Sequence, residues 1–104
     1  MVSDNPVVGV DLVADERIEA LGETALEDYF HPDEIESDKH VSIFALKEAA
    51  RKAVELEASW LDVHVEYEDG SPRVTIRGFD GDLDCSVSHQ NGFTVAVVSG
   101  CRPR

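Results

Sequence analysis

Residues 44–54 read Phe-Ala-Leu-Lys-Glu-Ala-Ala-Arg-Lys-Ala-Val. Alanine and leucine are strong helix formers, so this stretch is the body of a helix that runs to about Glu57. Everything on either side has a different texture. Val7 to Val13 is a short, nearly continuous apolar run, the pattern of a buried strand. After the helix the period changes to two. Leu61–Tyr67 and Arg73–Arg77 alternate apolar with polar residues, and Glu68-Asp69-Gly70-Ser71-Pro72 turns the chain between them. Cys85–Ser88 is a third strand of this part, and Asn91-Gly92 turns the chain into the last, Phe93–Val98. A strand, then helices, then an antiparallel meander packed on the long helix make an α+β domain.

Between the first strand and the long helix, Ile18, Leu21, Ala25, Leu26 and Tyr29 fall at helical spacing. Gly22 can split that segment in two. His31-Pro32-Asp33-Glu34 looks like a further helix start, with proline at the first helical position and two acids where the helix dipole favours them. Ser37 or Asp38 can cap the long helix. The 104 residues suit a single domain spanning 1–104, with residues 1–6 and 100–104 expected as flexible ends.

Composition excludes several classes of function. The formal net charge is −13, so no diffuse basic surface exists for nucleic acid. No apolar run approaches the roughly 20 residues of a membrane span, and Met1 to Pro6 has no basic n-region of a signal peptide. Cys85 and Cys101 are therefore expected as reduced thiols in the cytoplasm. The scattered histidines have no zinc-type spacing. The acid excess reads as a solvated, salt-tolerant surface, or as a means of concentrating divalent cations.

Three places carry chemistry. Asp11 puts a charge inside the apolar first strand, which costs several kcal/mol unless it is paired or bound to a cation. Glu48 and Lys52 are four apart on the Ala-rich helix and share a face, with small Ala45 and Ala49 beside them. Alone, they are also what an ordinary surface ion pair looks like. Two carboxylates from a strand and a helix suit Mg2+, which completes its octahedron with water and phosphate. A lysine beside them complements phosphate as a point charge, the apparatus of phosphoryl transfer. Lastly, Ser86-Val87-Ser88-His89 ends a strand, and its hydroxyls and imidazole can meet phosphate or ribose, or simply form a hairpin end.

Val8-Gly9-Val10-Asp11-Leu12-Val13 with Arg17-Ile18 resembles the opening of the holo-acyl-carrier-protein synthases, the small phosphopantetheinyl transferases. Phe44 to Ala53 is similar to their signature helix, and Ser86-Val87-Ser88-His89, followed by Ala96-Val97-Val98, is similar to their closing motif. Phe30 to Glu34 and Gly70-Ser71-Pro72 match weaker family features. The resemblance covers residues 7–99. It differs at Ile43, where the family carries arginine, after Lys52-Ala53, where a Gly-rich loop is replaced by Val54-Glu55-Leu56-Glu57, and in an acidic rather than basic first helix.

The resemblance implies that coenzyme A binds with its pyrophosphate on Mg2+ held by Asp11 and Glu48. A serine of an acyl carrier protein, or of a polyketide-type carrier domain, then takes the phosphopantetheine, and adenosine 3′,5′-bisphosphate leaves. Lys52 would neutralise the pyrophosphate. Lys47, Ser88 and His89 would contact the nucleotide end. Glu48 or a metal-bound water would take the serine proton, and the sequence leaves both open. Arg17 would face the carrier, and a homotrimer is implied. The alternative is a non-catalytic coenzyme A-binding or assembly module with the same fold.

Overall fold

The computed structural model describes residues 5–102. Strand β1 (Asn5–Ala14) alternates in burial, and Val7, Gly9, Asp11 and Val13 share its inner face. Three helical segments follow: α1 (Asp15–Glu19), α2 (Glu23–Tyr29) and α3 (Pro32–Glu36). Gly22 caps α2, so the division expected at that glycine is present. Helix α4 (His40–Ala53) then packs against strands of two separate sheets.

The first sheet has the order β1-β5-β4, where β4 is Leu83–Gln90 and β5 is Phe93–Arg102. The second is the hairpin of β2 (Val63–Glu68) and β3 (Ser71–Ile76). All pairings are antiparallel, and the chain's first strand bonds to its last. The meander is thus interrupted between β3 and β4, which are not hydrogen-bonded as neighbours. Residues 5–6 and 100–102, expected as flexible, are strand instead: Asn5 pairs with Arg102 and Pro6 with Cys101. The remainder of those ends, 1–4 and 103–104, lies outside the described residues.

Helix α4 is buried on most of its surface because sheets flank it. Ile43, Leu46, Ala49, Ala50 and Ala53 join Val63, Val65, Ala96 and Val98 in one core. Its alanines let β1 come close. A Cβ placed on Gly9 would stand 1.8 Å from the Ala49 carbonyl oxygen and 2.6 Å from the Ala53 nitrogen, so only glycine fits there. The helix stops at Ala53, short of Glu57, because Glu55 (φ 57°) and Leu56 (φ 64°) turn left-handed. Its N-cap is Lys39 with no side-chain cap; Ser37 instead accepts a bond from the Lys39 amide at 3.1 Å.

The outer face of the three-stranded sheet is apolar. Val8 and Leu12 are 64% and 66% exposed, and Val10, Phe93 and Val97 join them. No helix of the described residues is long and apolar enough to cross a membrane.

Candidate active site

Because β1 alternates, Asp11 leaves it on the side of α4, two residues from the close approach at Gly9. Its carboxylate is 11% exposed and accepts a bond from Lys52 Nζ at 3.0 Å. Lys52 Nζ also donates to the Val10 carbonyl at 3.3 Å, and about half its side chain meets solvent. A cation does answer the charge on Asp11, as its burial demands, but that cation is the Lys52 ammonium. A divalent ion is therefore not required for Asp11 to be tolerated.

Glu48 lies one turn before Lys52 and is held on its other side. Arg51 Nη1 donates to its Oε1 at 3.1 Å. Arg51 is itself fixed, since its Nε donates to the Ala58 carbonyl at 3.0 Å and its guanidinium lies 4.5 Å from the centre of the Trp60 ring. The stack and the bond hold the arginine in one place, so it orients the carboxylate. Sequence spacing alone gave no signal for Arg51, because its anchor at Ala58 and Trp60 lies beyond the helix.

Among the described residues, no three His, Cys, Asp or Glu side chains converge as a metal cage. Two carboxylates on packed elements remain a donor set that a hard ion completes with water and phosphate oxygens. Asp11 and Glu48 would each have to exchange a basic partner, Lys52 or Arg51, for such an ion.

Lys47 requires a correction. Expected at the nucleotide end, it is fully buried on the core side of α4, with Nζ 2.6 Å from Glu34 Oε1. Burial pulls its pKa below the usual lysine range, while the Glu34 carboxylate opposes that shift. Glu34, expected merely to suit a helix dipole, is equally buried. Its Oε1 also accepts from the His31 amide at 2.7 Å, and its Oε2 from the Val65 amide at 2.7 Å. The pair ties α3, α4 and β2 together, and burial keeps the Lys47 ammonium away from any ligand at the surface.

Ser88 and His89 also part company. Successive residues of β4 point to opposite faces, so Ser86 and Ser88 lie on the outer, apolar face beside Val97 and Val95. His89 turns to the helix side. Its Nε2 is 3.0 Å from Ser42 Oγ and its Nδ1 is 2.7 Å from Thr94 Oγ1. It stands between two grooves of about 400 and 380 Å3, one bordered by Asp15 and Asp38, the other by Tyr67 and Val87, with Lys39 on both. The Tyr67 hydroxyl is buried there with no protein partner. Arg17 is exposed on α1 amid Glu16 and Glu19, and Glu23, Glu27 and Asp28 continue the acidic surface on α2.

A small α+β domain with an aspartate–lysine pair where its first strand meets its main helix, and a glutamate one turn earlier on that helix, is the class that fold and site define. A family model described as the 4′-phosphopantetheinyl transferase superfamily matches residues 7–98. The chain belongs to that superfamily. It is 38% identical to the holo-(acyl-carrier-protein) synthase of Thermodesulfovibrio yellowstonii, over 88% of this chain and 94% of the relative. With that of Helicobacter pylori it shares 37% identity over 88% of this chain and 95% of the relative. Among solved structures, the Helicobacter pylori enzyme in complex with coenzyme A superposes with a TM-score of 0.76 at 33% identity, covering 88% of this chain and 96% of that one. The Bacillus anthracis enzyme, in complex with CoA (3′,5′-ADP), gives a TM-score of 0.84 at 26% identity, covering 97% of this chain and all of that one (100%).

Proposed function

We propose that this protein transfers 4′-phosphopantetheine from coenzyme A to a serine of an apo acyl carrier protein, in a Mg2+-dependent reaction in the cytoplasm. The observation that carries this reading is the meeting of Asp11 and Lys52 at 3.0 Å, one helical turn from Glu48. Anionic and cationic groups stand side by side where a metal diphosphate needs both. Family membership and the coenzyme A complexes of the relatives support it.

Asp11 and Glu48 would hold Mg2+, which when bound supplies charge neutralisation to a diphosphate. Lys52, partly exposed on a mobile stem, would turn from Asp11 to the pyrophosphate and stabilise charge on the departing nucleotide. The carrier serine oxygen forms a bond to the β-phosphorus as the bond from that phosphorus to the bridging oxygen breaks. Adenosine 3′,5′-bisphosphate leaves with the bridging oxygen. Glu48 or a water would take the serine proton. His89, beside both grooves, would meet the nucleotide end, and Arg17 the carrier. Lys47 has no part in ligand contact, because it is sealed in the core.

A homotrimer fits the outer sheet face. Val8, Val10, Leu12, Phe93 and Val97 form an apolar surface of the kind that a partner covers. Ser88, on that same face, would then reach a ligand only beside a neighbouring subunit. Sedimentation at micromolar concentration should give a trimer, and a monomer would remove this part of the reading.

The transfer test is direct. Protein, Mg2+, coenzyme A and an apo carrier are mixed, and the carrier is weighed by mass spectrometry. The gain of one phosphopantetheine is expected. No gain with any fatty-acid or polyketide-type carrier, at low or high salt, would refute transfer. The acidic surface of α1 and α2 favours a second reading, a non-catalytic coenzyme A-binding module, because two acidic proteins repel. Saturable coenzyme A binding without transfer would select it.

A further inference from the structure

Thr94 is 0% exposed on β5, and its hydroxyl donates to Asp15 Oδ1 at 2.7 Å. A threonine hydroxyl carries a single proton. With that proton committed to a carboxylate, Thr94 Oγ1 can meet His89 Nδ1 only as an acceptor. The 2.7 Å contact between them therefore requires a proton on Nδ1. In a neutral imidazole the other nitrogen is then bare. Ser42 Oγ, 3.0 Å from Nε2, is left to donate to it. The chain of bonds runs Asp15, Thr94, His89, Ser42, from four different elements, and it ends at the wall between the two grooves.

We propose that Thr94 and Asp15 are positioning residues that lock neutral His89 in the Nδ1–H tautomer, so that Nε2 faces the grooves as a hydrogen-bond acceptor. The functional side of this rests on the reading of His89 as a coenzyme A contact. A bare Nε2 suits a ligand hydroxyl, such as one on the ribose, which takes the place of the Ser42 hydroxyl. It does not suit a phosphate oxygen, which offers no proton. Thr94 is wholly buried and reaches a ligand only through the ring, and Asp15, on the border of one groove, acts on the ring through Thr94. They act through the ring, as outer partners of a histidine commonly do.

The tautomer is read on the free protein by 15N NMR of the ring nitrogens, in alkaline buffer where imidazole is neutral. Its signals are assigned by their loss in His89→Ala. The wild type should show Nδ1–H alone. Thr94→Val keeps the shape but removes the acceptor, and should release the ring to a mixture. Thr94→Ser should restore the lock. Asp15→Ala frees the Thr94 hydroxyl to donate to Nδ1, and should move the ring toward Nε2–H without touching the β4–β5 core. An Nε2–H ring in the wild type, or a ring indifferent to both Thr94→Val and Asp15→Ala, would overturn the proposal.

Coenzyme A titrations complete a double-mutant cycle. Thr94→Val should weaken binding roughly tenfold, the loss of one well-made hydrogen bond to the ligand. It should cause no further loss when His89 is already alanine. A merely structural Thr94 would weaken binding equally with and without the histidine, and that result counts against the proposal. If His89→Ala binds coenzyme A like the wild type while the tautomer is as stated, the ligand reading of His89 fails and the lock itself stands.

Discussion

Lys47 Nζ and Glu34 Oε1 form a 2.6 Å ion pair with both side chains wholly removed from solvent. Such a pair adds little net stability by itself, but breaking it strands a charge in the core. Lys47→Met should lower stability by about 3 kcal/mol or more, seen as an earlier urea midpoint. Coenzyme A affinity of the folded fraction should stay within about twofold, since neither residue reaches a groove. A large loss of affinity with unchanged stability would return Lys47 to the ligand.

Asp11→Ala and Glu48→Ala should each abolish Mg2+-dependent transfer, a loss on the order of a hundredfold or more in kcat/KM. The far-UV circular dichroism should not change, because Lys52 and Arg51 keep access to water once their partners are gone. Near-normal turnover in either variant would remove that residue from the metal site.

Lys52→Ala should act on rate more than on binding. The ammonium matters most as the phosphorus–oxygen bond breaks, so kcat should fall about a hundredfold while KM for coenzyme A shifts a few-fold. Steady-state kinetics with a fixed carrier separates the two. A rise in KM at constant kcat would make Lys52 a ground-state contact only.

Gly9→Ala tests the approach of β1 to the helix. The added methyl would fall inside the Ala49 carbonyl, so the strand must move. Overpacking of this kind costs about 1–3 kcal/mol. Because Asp11 is carried on the same strand, transfer should decline further than the stability loss explains. Thermal melting paired with the transfer assay at low temperature checks both.

Much of the fold was legible because its signals are local. Alanine and leucine marked α4, alternation marked β2 and β3, and glycine marked the break before α2. The site was legible in part for the same reason: Glu48 and Lys52 share a helix face by spacing alone. What escaped depends on long-range contact. The pairing of β1 with β5 joins residues at opposite ends of the chain. Lys47 sits between Leu46 and Glu48, and only the packing of β2 and α3 decides that it points inward. The Asp15–Thr94–His89–Ser42 chain spans 79 positions between its first two members, and no motif announces it. Asp11 was correctly singled out as a charge needing a partner. Its chemistry did not say which, because a lysine from α4 and a bound metal both satisfy a strand carboxylate.

Glu55 and Leu56 turn the chain sharply after α4, although each carries a side chain in a backbone region that costs about 1 kcal/mol or more outside glycine. The reversal is made by two residues that are both stiffer than glycine. Fewer unfolded shapes compete with it, and the stretch behind Lys52 has less freedom to wander. In this protein the anchor of the long helix is a braced corner, built at a small standing strain and resistant to the flexing that glycines would allow.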